Sequence, residues 1–336
     1  HCRTFLLFLL LWTQLFGLNT SIEPVLGFRK IAAIRVSFQE DDSPGTTGNG
    51  LFLLEPDTKN CGEYTLDRPP HNKSYFVAQL RAVDSYFRNV SNGQFGIDID
   101  NSMIFPLGEI SSYQLNQTMD YYHPYGESDE VYEQKLVELF RDALFTADSA
   151  DTVPFPDYDL IVVFHAGVGQ DFSLPFLDPT PEDIPSTFVD SDMILDHLGT
   201  TVISIDGHEI NQGIILPETQ NHLLFNEAED IFIDPSESCD FQFGLTGTFA
   251  LMVGFAEGLP PLWNTETGES GIGVFGLMDQ GSNNGRGIIP SPPDAWTRIR
   301  AGWIAPTTVK PSMQIYLPAR SIQDFIIKVQ IDDDEY

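Results

Sequence analysis

Apolar and polar positions along this chain fall into short blocks that switch between a period of two and a period near 3.6. Lys30 to Phe38 (KIAAIRVSF) is apolar and β-rich, and Glu40-Asp41-Asp42 with Pro44-Gly45 ends it, which predicts a strand running into a loop. From Ser74 to Val90, the residues Phe76, Leu80, Val83, Phe87 and Val90 are spaced 4, 3, 4 and 3 apart, one helical face that Asn92-Gly93 stops. Phe95 to Phe105 follows as a strand pair or bent strand, with Asp98 and Asp100 on one side of the pleat. A second amphipathic helix is expected from near Ser128, carrying Asp129 and Glu130 in its first turn and aligning Leu136, Leu139, Phe140, Ala143 and Leu144. Leu160 to Phe164 (LIVVF) reads as a central strand that breaks at His165-Ala166-Gly167-Val168-Gly169. Residues 171–200, rich in Pro and Asp, predict a long surface excursion, and Thr201 to Ile205 a further strand. Thr248 to Glu257 (TFALMVGFAE) is a buried helix with a glycine stop at Gly258. Met313 to Leu317 and Phe325 to Ile331 alternate like strands before the acidic run Asp332 to Glu335. Strands and helices alternate early and loops dominate later, so the expected class is α+β.

Composition adds a compartment and removes some partners. Phe5 to Leu18 is almost wholly apolar after Arg3, the length of a secretory h-region, and spans only about 20 Å as a helix against the roughly 30 Å of a bilayer core. Residues 1–20 are therefore read as a signal peptide and the protein as secreted, with no stable membrane anchor after cleavage. The chain opens on His1, so its reading frame is expected to start upstream. Lys plus Arg number 17 against 49 Asp plus Glu, and the formal charge of −32 excludes nucleic acid and anionic membranes as natural partners. Past the leader two cysteines remain, Cys61 and Cys239, either paired across the chain or present as two thiols.

Single residues offer little chemistry. His208-Glu209 has Gln212 where a second ligand would stand, and Gly207 and Gly213 bracket it, so a loop is expected. His165, at the end of the central strand, reads as a satisfied structural group, and no spacing joins it to His197, His208 or His222. Asp190, Asp192 and Asp196 are oxygen donors that could take calcium, as are Asp98 and Asp100, but neither group forms a twelve-residue EF-hand loop. Gly271-Ile272-Gly273 lacks the preceding strand of a dinucleotide site, and Ser236 and Ser238 lack a nucleophile elbow.

From Gly247 the chain reads GTFALMVGFAEGLPPLWNTETGESGIGVFGLMDQGSNNGRGIIPSPPDAWTRIRAGWIAP. Gly258, Leu259, Pro260, Leu262 and Trp263, then Gly271, Gly273, Leu277 and Met278, then Pro292, Trp296, Gly302 and Trp303 fall in the order of three motifs of a known family. With VSFQED, NVSNGQFGI and YDLIVVFHAGVGQD upstream, the chain over roughly residues 28–310 resembles the secreted zinc metallopeptidases of the immune inhibitor A family. The resemblance implies a zincin-like domain over residues 25–310, with a mixed sheet and a buried former active-site helix. Residues 311–336 would open a further β module cut off at Tyr336.

The family's H-E-x-x-H-x-x-G-x-x-D helix is where this chain departs. Aligned on Gly258, its zinc-ligand and general-base positions hold Leu251, Met252, Phe255 and Pro261. None of these side chains offers the imidazole or carboxylate lone pair that zinc takes, and no glutamate remains to accept a proton from bound water. The site reads as packed core, with Met278, the resemblance's methionine turn, lying under Leu251 and Phe255. The expectation is a pseudopeptidase without zinc or another required cofactor. It would bind peptides or proteins, serve as a structural part of a larger extracellular protein, or restrain an active relative. Two rivals are an active metallopeptidase drawing zinc ligands from His165, His197, His208 or His222, and a calcium-dependent surface module.

Overall fold

The computed structural model describes residues 23–55, 61–172, 178–225, 239–265, 267–310, 312–320 and 323–329. The apolar segment 5–18, Ser236 and Ser238 lie outside them. Among the described residues no helix is long and apolar enough to cross a membrane.

The fold is α+β around a mixed sheet. Strands β1 (Gly27–Arg29) and β2 (Ile31–Ser37) come first, then helix α1 (Lys73–Val90), strands β3 (Phe95–Ile97), β4 (Met103–Phe105) and β5 (Tyr113–Gln114), the short helix α2 (Met119–Tyr122) and the long helix α3 (Asp129–Asp151). Strand β6 (Leu160–Val168), strand β7 (Thr187–Val189), helix α4 (Ser191–Leu198), strands β8 (Ile203–Ile205), β9 (His208–Ile210) and β10 (Gly213–Thr219) follow. Helix α5 (Leu245–Ala256), helix α6 (Ala295–Arg300) and strands β11 (Thr307–Val309) and β12 (Ile327–Val329) complete the order.

The main sheet runs β4-β2-β6-β10-β7, with β5 also on β2. All its pairs are parallel except β10 with β7, the terminal strand. Strands β2, β6 and β10 are buried along their whole lengths, as a parallel sheet covered on both faces requires. Phe164 of β6 carries one face: its ring lies 4.5 Å from Phe76 of α1 and 5.5 Å from Phe249 of α5. Helix α3 approaches β10 closely enough that a Cβ on Gly213 would lie 2.3 Å from Phe140. Every residue expected on the apolar faces of α1 and α3 is buried, and the Asn72 and Ser128 side chains cap these helices by accepting from Tyr75 N and Val131 N. Trp303 is buried and stacks on Phe95, and its indole donates to Val25 O at 2.7 Å, fastening α6 to the start of β1.

Several elements depart from the sequence reading. The strand from Leu160 does not break at His165 but continues to Val168, because Val36 and Pro217 flank His165 and continue the ladder on both sides. The expected pair over 95–105 belongs to two sheets, β3 beside β1 and β4 beside β2. The excursion over 171–200 contains β7 and α4, and Asp190 starts α4 by accepting from Asp192 N and Met193 N. His208-Glu209 is not loop but β9 of a hairpin with β8, turned at Asp206 (φ 48) and Gly207 (φ 80), two successive left-handed residues of the kind a tight hairpin turn needs. Met313–Leu317 forms no strand; instead β12 pairs with β11, and Asp324 binds Asn92 and Arg298, holding the segment against α1 and α6. Cys61 and Cys239 are disulfide-bonded.

Candidate functional site

Helix α5 is the most apolar element of the fold, and its position is determined at both ends. At the N-terminus the Leu245 amide donates at 2.8 Å to Asp67 Oδ2, a carboxylate that also accepts from Thr219 Oγ1 and Gln79 Nε2. At the C-terminus Gly258 takes φ 76, with Leu259 N on Gly254 O and Gly258 N on Phe255 O, both 2.9 Å, a Schellman stop. Between them Gly247 lets the 282–287 loop approach, since a Cβ there would lie 1.9 Å from Ser282 O. Met278 is buried against Gly254, where a Cβ would meet its sulfur at 2.7 Å. The methionine thus packs against the helix at Gly254.

Asp67 belongs to a buried polar network that the sequence reading did not identify. Its centre is Glu218, which sits where the β10–β6 register shifts between Pro217 and Thr219. Glu218 accepts from Gly167 N on one oxygen and from Leu53 N and His71 Nδ1, at 2.9 and 2.6 Å, on the other. His71 Nε2 meets Asp67 O at 2.6 Å, so both ring nitrogens face acceptors and the ring is an imidazolium. Burial acts to lower the His71 pKa, and the hydrogen bonds and charges of Glu218 and Asp67 outweigh it, leaving it raised. Tyr75 stacks on the ring at 4.4 Å and donates to Glu218 O. Burial raises the Asp67 pKa, opposed by His71 and its donors.

Alongside α5 opens a cleft of about 360 Å³. Thr248, Leu251 and Met252 of α5 line it, together with Trp263, with Asp279, Gln280, Ser282 and Asn283, and with Asp171 and Ser186, the latter just before β7. The space beside Leu251 and Met252 is therefore not closed by packing. Leu251 is half-buried on the cleft wall, Phe255 is half-buried with its ring edge-on to Trp263 at 5.6 Å, and Pro261 is exposed. Only Met252, 8% exposed, is core.

Two carboxylates border the cleft. Asp279 Oδ2 accepts from Ser270 Oγ and from the amides of Gly271, Ile272 and Gly273 at 2.7 to 3.0 Å, and Oδ1 accepts from Gln280 N. Burial alone would raise its pKa, but these donors prevail and hold it below the usual carboxylate range. The Gly271-Ile272-Gly273 turn is thus a nest for the chain's own anion. Asp171 accepts from Ser186 Oγ at 2.8 Å, from Ser186 N and from Gln220 Nε2; burial raises its pKa against those bonds.

The other candidates stay apart. His165 is buried on β6, its Nδ1 on Ala166 O, and burial pushes its pKa down to about 4. His197 faces Glu133 from α4, His208 lies on β9 and His222 on a short 3-10 turn. Asp190 is a helix cap, and Asp98 closes its own turn onto Asn101. Among the described residues no three His, Cys, Asp or Glu side chains are placed to hold a metal ion, and Asp190, Asp192 and Asp196 do not converge. No protein-family model matches the chain, and no curated protein matches it significantly.

Proposed function

We propose that this chain is a secreted, zincin-like pseudopeptidase of the immune inhibitor A family that holds an extended peptide without cleaving it. One observation carries the reading. The helix bearing the degenerate motif borders an open cleft, and it presents Thr248, Leu251 and Met252 there in place of metal ligands. The parallel sheet with one antiparallel terminal strand supports the family assignment, as does the buried methionine beneath α5. Ser186, which lines the cleft, immediately precedes β7, whose outer edge has no strand partner among the described residues. An extended segment entering the cleft could therefore add to β7 through main-chain hydrogen bonds.

Hydrolysis by the family mechanism would need a Lewis acid to lower the pKa of water from about 15.7 to about 7, and a base beside it. Leu251, Met252, Phe255 and Pro261 supply neither. The test is metal analysis and casein hydrolysis on purified mature protein, with fluorescence anisotropy of labelled hexapeptides. Binding without turnover is expected; stoichiometric zinc with chelator-sensitive turnover refutes the proposal.

A further inference from the structure

Resting on the reading that this cleft holds a peptide, we propose that its occupant presents a cationic side chain, lysine or arginine, to Asp171. The argument begins with donors and acceptors. Asp171 and Asp279 line the cleft, and among the described residues no Lys, Arg or His does. Asp279 is satisfied inside its nest. Asp171 accepts only neutral hydrogen bonds, and among the described residues no cation pairs with it.

Directly behind it is a second, independent sign. Gln220 is 1% exposed and donates its amide nitrogen to Asp171 and to Ser186 Oγ, yet its Oε1 has no hydrogen-bond partner. Both acceptors pack against Gly169, where a Cβ would lie 2.6 Å from Asp171 Oδ2 and 2.7 Å from Gln220 Oε1. An exposed carboxylate lining the cleft and an orphaned, buried carbonyl oxygen beside it call for a group that only donates. Ammonium and guanidinium are such groups, carrying several N–H bonds and no lone pair. Trp263, which also lines the cleft, offers an aromatic ring for the aliphatic stem and the charge. The chain's charge of −32 draws such a peptide in from solution.

Anisotropy at physiological salt with two labelled hexapeptides tests this, one Ala-Leu-Lys-Leu-Ala-Gly, the other with norleucine for lysine. The lysine peptide should bind at least about tenfold more tightly to the native protein. Asp171→Asn, isosteric, should erase that difference while leaving the norleucine peptide bound and the melting curve cooperative. Equal affinity for both peptides on the native protein overturns the cationic assignment and leaves peptide holding intact, whereas no binding of either refutes the reading beneath it. A preference that survives in Asp171→Asn belongs to the overall charge and also overturns the proposal. Should that variant fail to fold, zero-length carbodiimide coupling on the native protein decides: an amide between peptide lysine and Asp171 is expected, and products confined to other carboxylates reject it.

Discussion

Glu218→Gln is the most revealing perturbation of the scaffold that holds α5. The native carboxylate is fully buried and receives three N–H donors, from Leu53, Gly167 and His71. The substitution keeps the shape but turns one acceptor into a donor. If the remaining oxygen stays on Gly167 N, the new amide nitrogen faces Leu53 N–H, an orphaned buried donor costing about 1–3 kcal/mol. It also faces His71, which then fits only as the neutral ring, donating through Nε2 to Asp67 O. The sign of the pH effect follows. In the native protein the His71 pKa is raised, so its contribution is complete below the unfolded value of 6.5 and is lost as pH rises through the folded value. In the variant burial prevails and the folded pKa falls below the unfolded one, so low pH favours unfolding. The loss should be about 2 kcal/mol near pH 8 and about 4 kcal/mol near pH 5.5, where the buried imidazolium has lost its partner. Urea unfolding followed by tryptophan fluorescence, with unchanged m-value, reads both. A loss under about 1 kcal/mol at either pH, or one independent of pH, refutes the imidazolium assignment.

Asp183, buried and accepting from Thr47 N and Oγ1, has its pKa pushed from 3.8 up to about 7 by burial. The folded state holds that proton longer, so its contribution is full below the unfolded value and falls by about 4 kcal/mol at most between about pH 4 and 7; Asp183→Asn should flatten this slope in a pH series of urea midpoints. Reducing Cys61–Cys239, which closes 178 residues of chain, should lower the melting temperature and remove up to about 5 kcal/mol by the chain-entropy estimate. Gly247→Ala places a methyl 1.9 Å from Ser282 O, backbone that cannot rotate away, and should cost about 3 kcal/mol in urea unfolding. Met252→Glu alone should cost about 3 kcal/mol in urea unfolding with chelator present, because that position is 8% exposed, whereas Pro261→Asp should cost almost nothing.

The elements legible in the sequence were those whose periodicity reports a single buried face. Helix α1 and strand β2 begin and end, and helix α3 begins, within about two residues of their signals, because caps and apolar spacing agree there. Strand β10, central to the sheet, was missed. Pro217 within GIILPET argues against an interior strand, and the chain accommodates it at the register shift that also turns Glu218 inward. Strand β7 is three residues long and α4 eight, too short to show a period among so many Pro and Asp. The apolar character of Leu251, Met252, Phe255 and Pro261 was read as closure, yet Leu251 and Met252 line a cleft and Pro261 is exposed. Hydrophobicity at four positions cannot tell a filled core from the wall of a cleft. Asp171, Gln220 and Asp279 carry no local motif, and only the fold brings their partners to them.

The contacts that fix the two ends and the middle of α5 do not use the side chains of Leu251, Phe255 or Pro261. The helix is held by Asp67 at its first amide, by the close approach at Gly247, by Met278 beneath Gly254 and by the Schellman stop at Gly258. The side chains at 251, 255 and 261 can therefore vary without loosening the helix that carries or precedes them. Leu251 and Phe255 keep only part of their surface from water, so burial there contributes less than the about 1.5–3 kcal/mol of a fully buried side chain. Stability alone therefore gives weak reason for an apolar residue at Leu251, whereas its place in the lining of a cleft that Asp171 also borders gives a stronger one.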